Sequence, residues 1–129
     1  MLSGQFDRPV IAFYTNRYRI RIFRSTLKVL GLPNYVQLLV NPQDGLLAIK
    51  GFQEKPRHQF HRVNYKQLIP KNSLDIHSHY LVHQLKYACE DVPEAKYYRI
   101  EGKGYPNECI AVFRFADAVA SDEEVENAP

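Results

Sequence analysis

The sequence predicts an α+β fold, mostly antiparallel β-hairpins that form a small barrel or sheet, with two helices at about residues 24–31 and 78–91. Three observations predict it. Short apolar runs alternate with polar residues at the two-residue period of half-buried strands. Gly, Pro, Asn and Asp separate these runs at short intervals, as they do in turns. Two segments instead repeat their apolar residues at the period of an amphipathic helix.

The chain has 129 residues and a hydrophobic fraction of 45%, values that are typical of one soluble domain. We expect a single globular domain over 1–120 and an acidic, disordered tail over 121–129. The apolar runs are too short to span a bilayer, and the N-terminus lacks the pattern of a secretory signal. Cys89 and Cys109 are too few for a disulfide framework. We therefore expect a cytoplasmic protein that does not associate with membranes.

The first hairpin is predicted from 9–15 and 18–23, which are joined by a tight turn at Asn16 and Arg17. The second of these strands alternates strictly between two faces. One face carries Tyr18, Ile20 and Ile22, and the other carries Arg19, Arg21 and Phe23. This alternation is typical of a strand that has one buried face.

The segment after this hairpin is predicted to form the first helix, because its leucines fit one apolar stripe. Ser25 or Thr26 is the expected N-cap of this helix. Gly31 is the expected stop, since glycine readily adopts the left-handed conformation that ends many helices.

A second hairpin is predicted from 35–41 and 46–52, which flank the turn sequence Pro-Gln-Asp-Gly. A further strand is expected near 58–65. The segment 78–91 is the stronger of the two helices, with an apolar face and with Ser78 as its N-cap.

A third hairpin is predicted from 96–102 and 108–115, joined by Lys-Gly-Tyr-Pro-Asn. The Gly-Lys-Gly sequence in this region lacks the spacing of a phosphate-binding loop, so we interpret it as part of a hairpin turn. Tyr97 and Tyr98 are adjacent, and one of them should therefore face inward and the other outward.

The net charge of +3 conceals a gradient along the chain. Residues 8–71 contain 12 Lys or Arg and two acids, a net charge of +10. Residues 72–129 contain five bases and 11 acids, a net charge of −6. This asymmetry predicts a surface that faces a polyanion, unless the two halves neutralise each other within the fold or across a dimer.

A cluster of cations on the first hairpin and helix is the candidate nucleic-acid-binding site. We name this set the basic hairpin, and it comprises Arg17, Arg19, Arg21, Arg24 and Lys28. Arginine donates in a planar, bidentate geometry that suits phosphate and guanine. The alternative is a solvated outer face that protects an edge strand from aggregation.

The residues 18–51, YRIRIFRSTLKVLGLPNYVQLLVNPQDGLLAIKG, resemble the swapped-hairpin DNA-binding module of the AbrB/SpoVT/MazE family. That family has a basic strand, a short helix, a Leu-Gly-Leu or Leu-Gly-Ile sequence and a second hairpin. Arg19 stands where the family has its basic residue. Tyr18, Phe23 and Leu27 depart from residues that are common in the family. The resemblance implies two interleaved copies that grip DNA, and hence a homodimer or an internal pseudo-dimer.

Other chemistries have weaker signals in this sequence. His79 and His83 have the spacing of two metal ligands on a helix, but they fall on its polar face, so surface histidines are the simpler interpretation. Cys89 falls on an apolar face, and no serine lies in a nucleophile-elbow pattern. We expect no metal, no cofactor and no enzymatic activity.

Together these patterns favour a DNA-binding transcriptional regulator of AbrB-like type that contacts double-stranded DNA through the basic hairpin. Its affinity should fall steeply as salt rises, because the contacts are to phosphates. The alternative is a protein-interaction or assembly module that has no nucleic-acid or catalytic role.

Overall fold

The computed structural model describes residues 8–71, 73–88 and 97–121. Its strands are β1 (Val10–Tyr14), β2 (Arg19–Phe23), β3 (Tyr35–Asn41), β4 (Leu46–Phe52), β5 (His61–Arg62), β6 (Ser73–His77), β7 (Tyr97–Glu101), β8 (Lys103–Tyr105), β9 (Ile110–Arg114) and β10 (Val119–Ser121). Its helices are α1 (Arg24–Val29), α2 (Tyr65–Lys71) and α3 (His79–Ala88). The expected α+β class is confirmed.

The strands form two five-stranded sheets in which every pairing is antiparallel. Sheet A has the order β10-β7-β1-β2-β6, and sheet B has the order β5-β3-β4-β9-β8. Over the residues that the structure describes, the strand ladders do not close into a barrel. The sheet alternative of the prediction is thus the one that the fold adopts.

The inner faces of both sheets share one apolar core. Sheet A contributes Phe13, Ile20 and Ile22, whereas sheet B contributes Ile49 and Phe113. α1 and α3 close this core with leucines that are fully or almost fully buried. Because side chains alternate along each strand, the residues between these positions form the outer faces of the two sheets.

The first helix ends as its sequence predicts but begins differently. The Leu32 N–H donates to the Leu27 carbonyl at 2.9 Å and the Gly31 N–H donates to the Lys28 carbonyl at 3.0 Å. These two bonds form a Schellman motif, in which Gly31 has a φ of +83°. The helix starts at Arg24, however, and its N-cap Phe23 makes no side-chain capping bond. The expectation of Ser25 or Thr26 as the N-cap was therefore wrong.

Instead of capping the helix, Thr26 anchors α1 to the first strand. Its Oγ1 accepts from the Val10 N–H and donates to the Val10 carbonyl, each at 2.8 Å. Thr26 is fully buried, so this hydroxyl satisfies two backbone groups that water cannot reach. The hydroxyl thus fixes the helix against the start of β1.

The first two hairpins are confirmed. β1 pairs with β2 and β3 pairs with β4, each in an unbroken antiparallel register. The predicted strand near 58–65 is reduced to β5, which pairs with β3 for only two residues. Ser78 caps α3 as expected, since the Leu81 N–H donates to its Oγ at 3.1 Å. Residues 89–91 of the predicted helix lie outside the described residues.

The prediction that the third pair of strands forms a hairpin was wrong. β7 pairs with β1 and β10 in sheet A, whereas β9 pairs with β4 and β8 in sheet B. The chain passes from one sheet to the other at Gly102, and a Cβ there would lie 2.5 Å from both Phe113 Cδ2 and the Val112 carbonyl. Glycine therefore permits a close approach that continues the strand into the second sheet. Tyr98 joins the main core and Tyr97 lies on the opposite face, as expected, but Tyr97 is buried there as well, in a second apolar cluster.

Four helices or strands have no counterpart in the sequence prediction. α2 occupies a polar, basic stretch in which the apolar spacing is irregular, and β6 alternates over only five residues. β8, in the predicted hairpin loop, and β10 have three residues each. β6 extends sheet A by pairing with β2. β10 includes Ser121, the first residue of the predicted acidic tail, and the rest of that tail lies outside the described residues.

Candidate nucleic-acid interface

Two arginines of the basic hairpin share the outer face of sheet A with an aspartate from a distant part of the chain. Asp75 on β6 lies directly opposite Arg21 in the β2–β6 register. Arg21 Nε donates to Asp75 Oδ1 at 2.9 Å, and Nη2 donates to Oδ2 at 3.2 Å. Arg21 Nη1 also donates to the Tyr14 hydroxyl at 3.0 Å. The side chain of Arg21 is only 15% exposed, so its charge is paired with Asp75 and is largely inaccessible to a ligand.

Arg19 shares the same carboxylate at a longer distance. Its Nη1 lies 3.8 Å from Asp75 Oδ2, and its side chain is 26% exposed. Arg19 Nε is buried and has no hydrogen-bond partner. One carboxylate thus faces two guanidinium groups, so the three side chains together have a net charge of +1.

The other three members of the basic hairpin lie apart from this cluster. Arg17 is exposed in the turn before β2, whereas Arg24 begins α1 after β2 ends. Arg24 lies near Tyr65; burial raises the pKa of Tyr65 to about 12, although the positive charge of Arg24 opposes that rise. Lys28 is exposed on α1. The structure therefore brings together Arg19 and Arg21, while Arg17 precedes β2 and the other two cations lie on α1.

The outer face of sheet B has a different charge pattern. Its five strands contain no Asp or Glu. They contain four Lys or Arg residues, which are Lys50, Arg62, Lys103 and Arg114. The strand registers place all four on the outer face, opposite the apolar residues of the shared core. We name this surface the sheet B face.

Aromatic rings lie beside these cations. Arg62 Cζ is 5.6 Å from the centroid of the Tyr35 ring, and Lys50 Nζ is 5.3 Å from that of Phe52. Lys103 Nζ is 5.5 Å from the centroid of Tyr105, which is 39% exposed. Each pair puts a positive charge close to an aromatic π-system at the protein surface.

The loop after β4 extends the sheet B face at one side. The Gln37 Nε2 donates to the His58 carbonyl at 2.9 Å and so ties this loop to β3. Phe60 packs edge-on against Tyr35, with ring centroids 5.4 Å apart. Lys55 Nζ lies 5.3 Å from the Phe60 centroid, which adds a further cation and aromatic ring to the surface. A pocket of about 480 Å³ adjoins Tyr35 and Arg62.

The histidines and Cys109 add no further chemistry to this face, and Cys89 lies outside the described residues. His79 stacks on Tyr18 with ring centroids 3.9 Å apart, and His83 lies 6.0 Å from the same ring. Burial lowers the pKa of His61 below its ordinary value of 6.5. Over the described part of the chain, no group of three or more His, Cys, Asp or Glu side chains is arranged to hold a metal ion. Cys109 is a free, half-buried thiol.

Sequence reasoning did not identify the sheet B face, although one signal was available. Tyr35 and Gln37 alternate with apolar residues along β3, as Lys50 and Phe52 do along β4. The prediction used these two runs only for their apolar content. Reading the residues between them as an outward face would have found the aromatic and basic side chains together.

Comparisons with protein-family models, with curated proteins and with solved structures found no match to this chain. The resemblance of residues 18–51 to the AbrB-like module therefore stays a prediction. Among the helices that the structure describes, none is both long and apolar enough to cross a membrane.

Proposed function

We propose that this protein binds single-stranded nucleic acid on the sheet B face and carries out no chemical step there. The observation that carries the proposal is the composition of five neighbouring strands, which have four cations, no acid and several outward aromatic rings. Because the strands themselves carry no carboxylate, the centre of this face attracts a polyanion, and the acids Glu101 and Asp117 lie at its edge.

The two kinds of side chain have separate roles in the proposed interface. Lys50 and Lys103 contact phosphates, and each contact releases counterions from the strand. Tyr35 and Tyr105 offer rings on which unpaired bases stack, a contact worth about 1–3 kcal/mol per base. Bases in a duplex are already stacked and paired, so aromatic contacts of this kind favour a single strand.

Binding is tested by fluorescence anisotropy with a labelled oligothymidine of about ten nucleotides, a length within the range of known single-strand sites. We expect binding at about 50 mM salt that weakens steeply by 200 mM, because phosphate contacts are salt-dependent. A duplex of equal length is expected to bind more weakly. An absence of oligothymidine binding at low salt contradicts the proposal.

Two matched substitutions test whether binding occurs at the proposed surface. Lys50→Gln removes one cation from the sheet B face, and Lys28→Gln removes one from the basic hairpin. We expect Lys50→Gln to weaken binding and to reduce the slope of log affinity against log salt by about 0.7, the value for one lost contact to a single strand. Lys28→Gln is expected to leave both quantities unchanged.

A second candidate function is regulation of transcription by a homodimer that grips double-stranded DNA through the basic hairpin. It is favoured by the exposure of Arg17 and Lys28 and by the absence of any acid from Arg8 to Gln43 in the sequence. For this candidate, the double variant Arg17→Gln/Lys28→Gln should weaken duplex binding, and Lys50→Gln should not. The same set of variants therefore distinguishes the two functions.

A further inference from the structure

A groove lies where the chain crosses from sheet A to sheet B. Side chains alternate without interruption from β7 through Gly102 to β8, so Arg99 and Glu101 lie on the same side of the chain as Lys103 and Tyr105. The groove has a volume of about 800 Å³, which is within the range of small-ligand sites. Leu46, Val112 and Val119 contribute apolar surface to its walls.

Positive charge predominates among the lining residues that the structure describes. The charged residues are Arg8, Arg99, Lys103, Arg114, Glu101 and Asp117. Arg8 and Glu101 form an exposed ion pair at 3.7 Å, which neutralises one cation and one acid. The remaining three cations face a single carboxylate, so the groove has a net positive charge.

Arg99 has an unsatisfied donor next to this groove. It is half-buried on β7, where Ala12 and Val119 are its cross-strand neighbours. Its Nε is buried and has no hydrogen-bond partner. A buried donor without an acceptor is costly, and an anionic ligand in the groove can supply the missing negative charge to this guanidinium.

We infer that this groove binds the terminal phosphate of a nucleotide. A phosphate monoester carries almost two negative charges at pH 7 and presents three acceptor oxygens. Arg99 pairs with it through the guanidinium fork, and Lys103 and Arg114 add positive charge from the other wall. The apolar wall at Val112 accommodates the base or sugar.

The phosphate can come from a free mononucleotide or from the end of a strand that lies on the sheet B face. The second source rests on the proposed function, because Lys103, Tyr105 and Arg114 belong to both the face and the groove. Both sources present the same chemical group, and binding measurements can separate them.

Calorimetric titration with AMP and with adenosine tests the first source. Anisotropy with 5′-phosphorylated and 5′-hydroxyl oligothymidine tests the second. We expect the phosphate to improve affinity about tenfold in at least one of these comparisons, as one charge-assisted contact permits. Tighter AMP binding identifies a free nucleotide, and a preference confined to the oligonucleotide identifies a strand end. Equal affinities in both comparisons overturn the inference.

Arg99→Gln is expected to abolish the phosphate preference, whereas Arg17→Gln, a substitution of the same charge in the first hairpin turn, should retain it. Val119 lines the groove and is 66% exposed, so its replacement should not disturb the fold. Val119→Glu therefore tests the site by adding a negative charge that repels a phosphate. Val119→Glu should remove the preference and Val119→Gln should keep it. Retention of the preference in both Arg99→Gln and Val119→Glu overturns the inference.

Failure of this inference is distinguishable from failure of the proposed function. If the 5′-hydroxyl oligonucleotide binds in a Lys50-dependent manner without any phosphate preference, only the groove assignment is wrong. If AMP binds in an Arg99-dependent manner and no oligonucleotide binds, only the single-strand proposal is wrong.

Discussion

The outer faces of the two sheets differ in how their positive charges are satisfied. On sheet A, Asp75 holds both Arg19 and Arg21 at distances of 2.9–3.8 Å. On sheet B no strand has an acid. Lys50 lies over the ring of Phe52, and Arg62 lies over the ring of Tyr35 and donates from Nη2 to the Tyr35 hydroxyl at 3.4 Å. An arginine-rich sequence therefore does not by itself locate free positive charge. A partner on a neighbouring strand decides whether a cation is available to a ligand.

The largest expected effect comes from removing the acid on sheet A. Asp75→Ala leaves the mostly buried Arg21 without its carboxylate, and we expect it to lower the free energy of unfolding by about 2–3 kcal/mol. Urea denaturation measures this change. Glu54→Ala, a substitution in an exposed loop, serves as the control and should change stability by less than about 0.5 kcal/mol. A loss for Asp75→Ala as small as that of the control would show that sheet A does not depend on this pairing.

The junction between the two faces is the next target. Gly102→Ala places a methyl group 2.5 Å from Phe113 Cδ2 and from the Val112 carbonyl, so the backbone or the buried Phe113 ring must shift. We expect a loss of about 1–3 kcal/mol, the usual cost of overpacking a core. Thermal denaturation followed by circular dichroism measures the loss. Unchanged stability would show that β9 can shift to admit the methyl group without disturbing the core.

The aromatic residues of the sheet B face are tested by replacing one ring. Tyr35→Leu keeps apolar bulk but removes the stacking surface, and we expect oligothymidine affinity to fall about tenfold, or about 1.4 kcal/mol. Tyr80→Leu removes a ring that is 56% exposed on α3, and it should have no effect on affinity. Similar losses in the two variants would show that the binding does not depend on the sheet B face.

The smallest effect concerns a histidine at the edge of sheet B. Burial lowers the pKa of His61 in the folded protein, so the unfolded chain binds a proton more readily than the folded one. The free energy of unfolding should therefore decline slightly as the pH falls below the ordinary histidine pKa of 6.5. His61→Asn should show a shallower decline in urea titrations between about pH 5 and 7. A decline identical to that of the wild-type protein contradicts the expectation.

Local sequence patterns were sufficient for the parts of the fold that local interactions determine. Strict alternation and turn residues predicted the first two hairpins, and Gly31 and Ser78 mark helix ends through bonds within a few residues. The sheet crossing at Gly102 depends on a long-range approach to Phe113, which no local pattern reveals. α2 was missed because its apolar residues do not form a regular helical stripe. β6 was missed although it alternates, because five residues are a short pattern and its place in the sheet depends on pairing with the distant β2.

In the candidate site, too, local sequence predicted some features, whereas long-range strand pairing determined the others. The sequence identified a basic half of the chain, and the sheet B cations Lys50 and Arg62 belong to that half. It could not show that Asp75, 54 residues after Arg21, lies beside it. Nor could it bring Lys103 and Arg114, from the acidic half, to the same face as Lys50. Strand order, which long-range pairing sets, determines which charges become neighbours.

The most direct test of the central claim is a map of amide chemical shifts during titration with oligothymidine at low salt. The expected result is that perturbed amides cluster on β3, β4, β8 and β9, around Tyr35, Lys50 and Tyr105. Amides of β6 and of α1, which bears Lys28, should remain unperturbed. Perturbations that centre on β2 and α1 instead would contradict the claim, because they would place the nucleic acid on the basic hairpin.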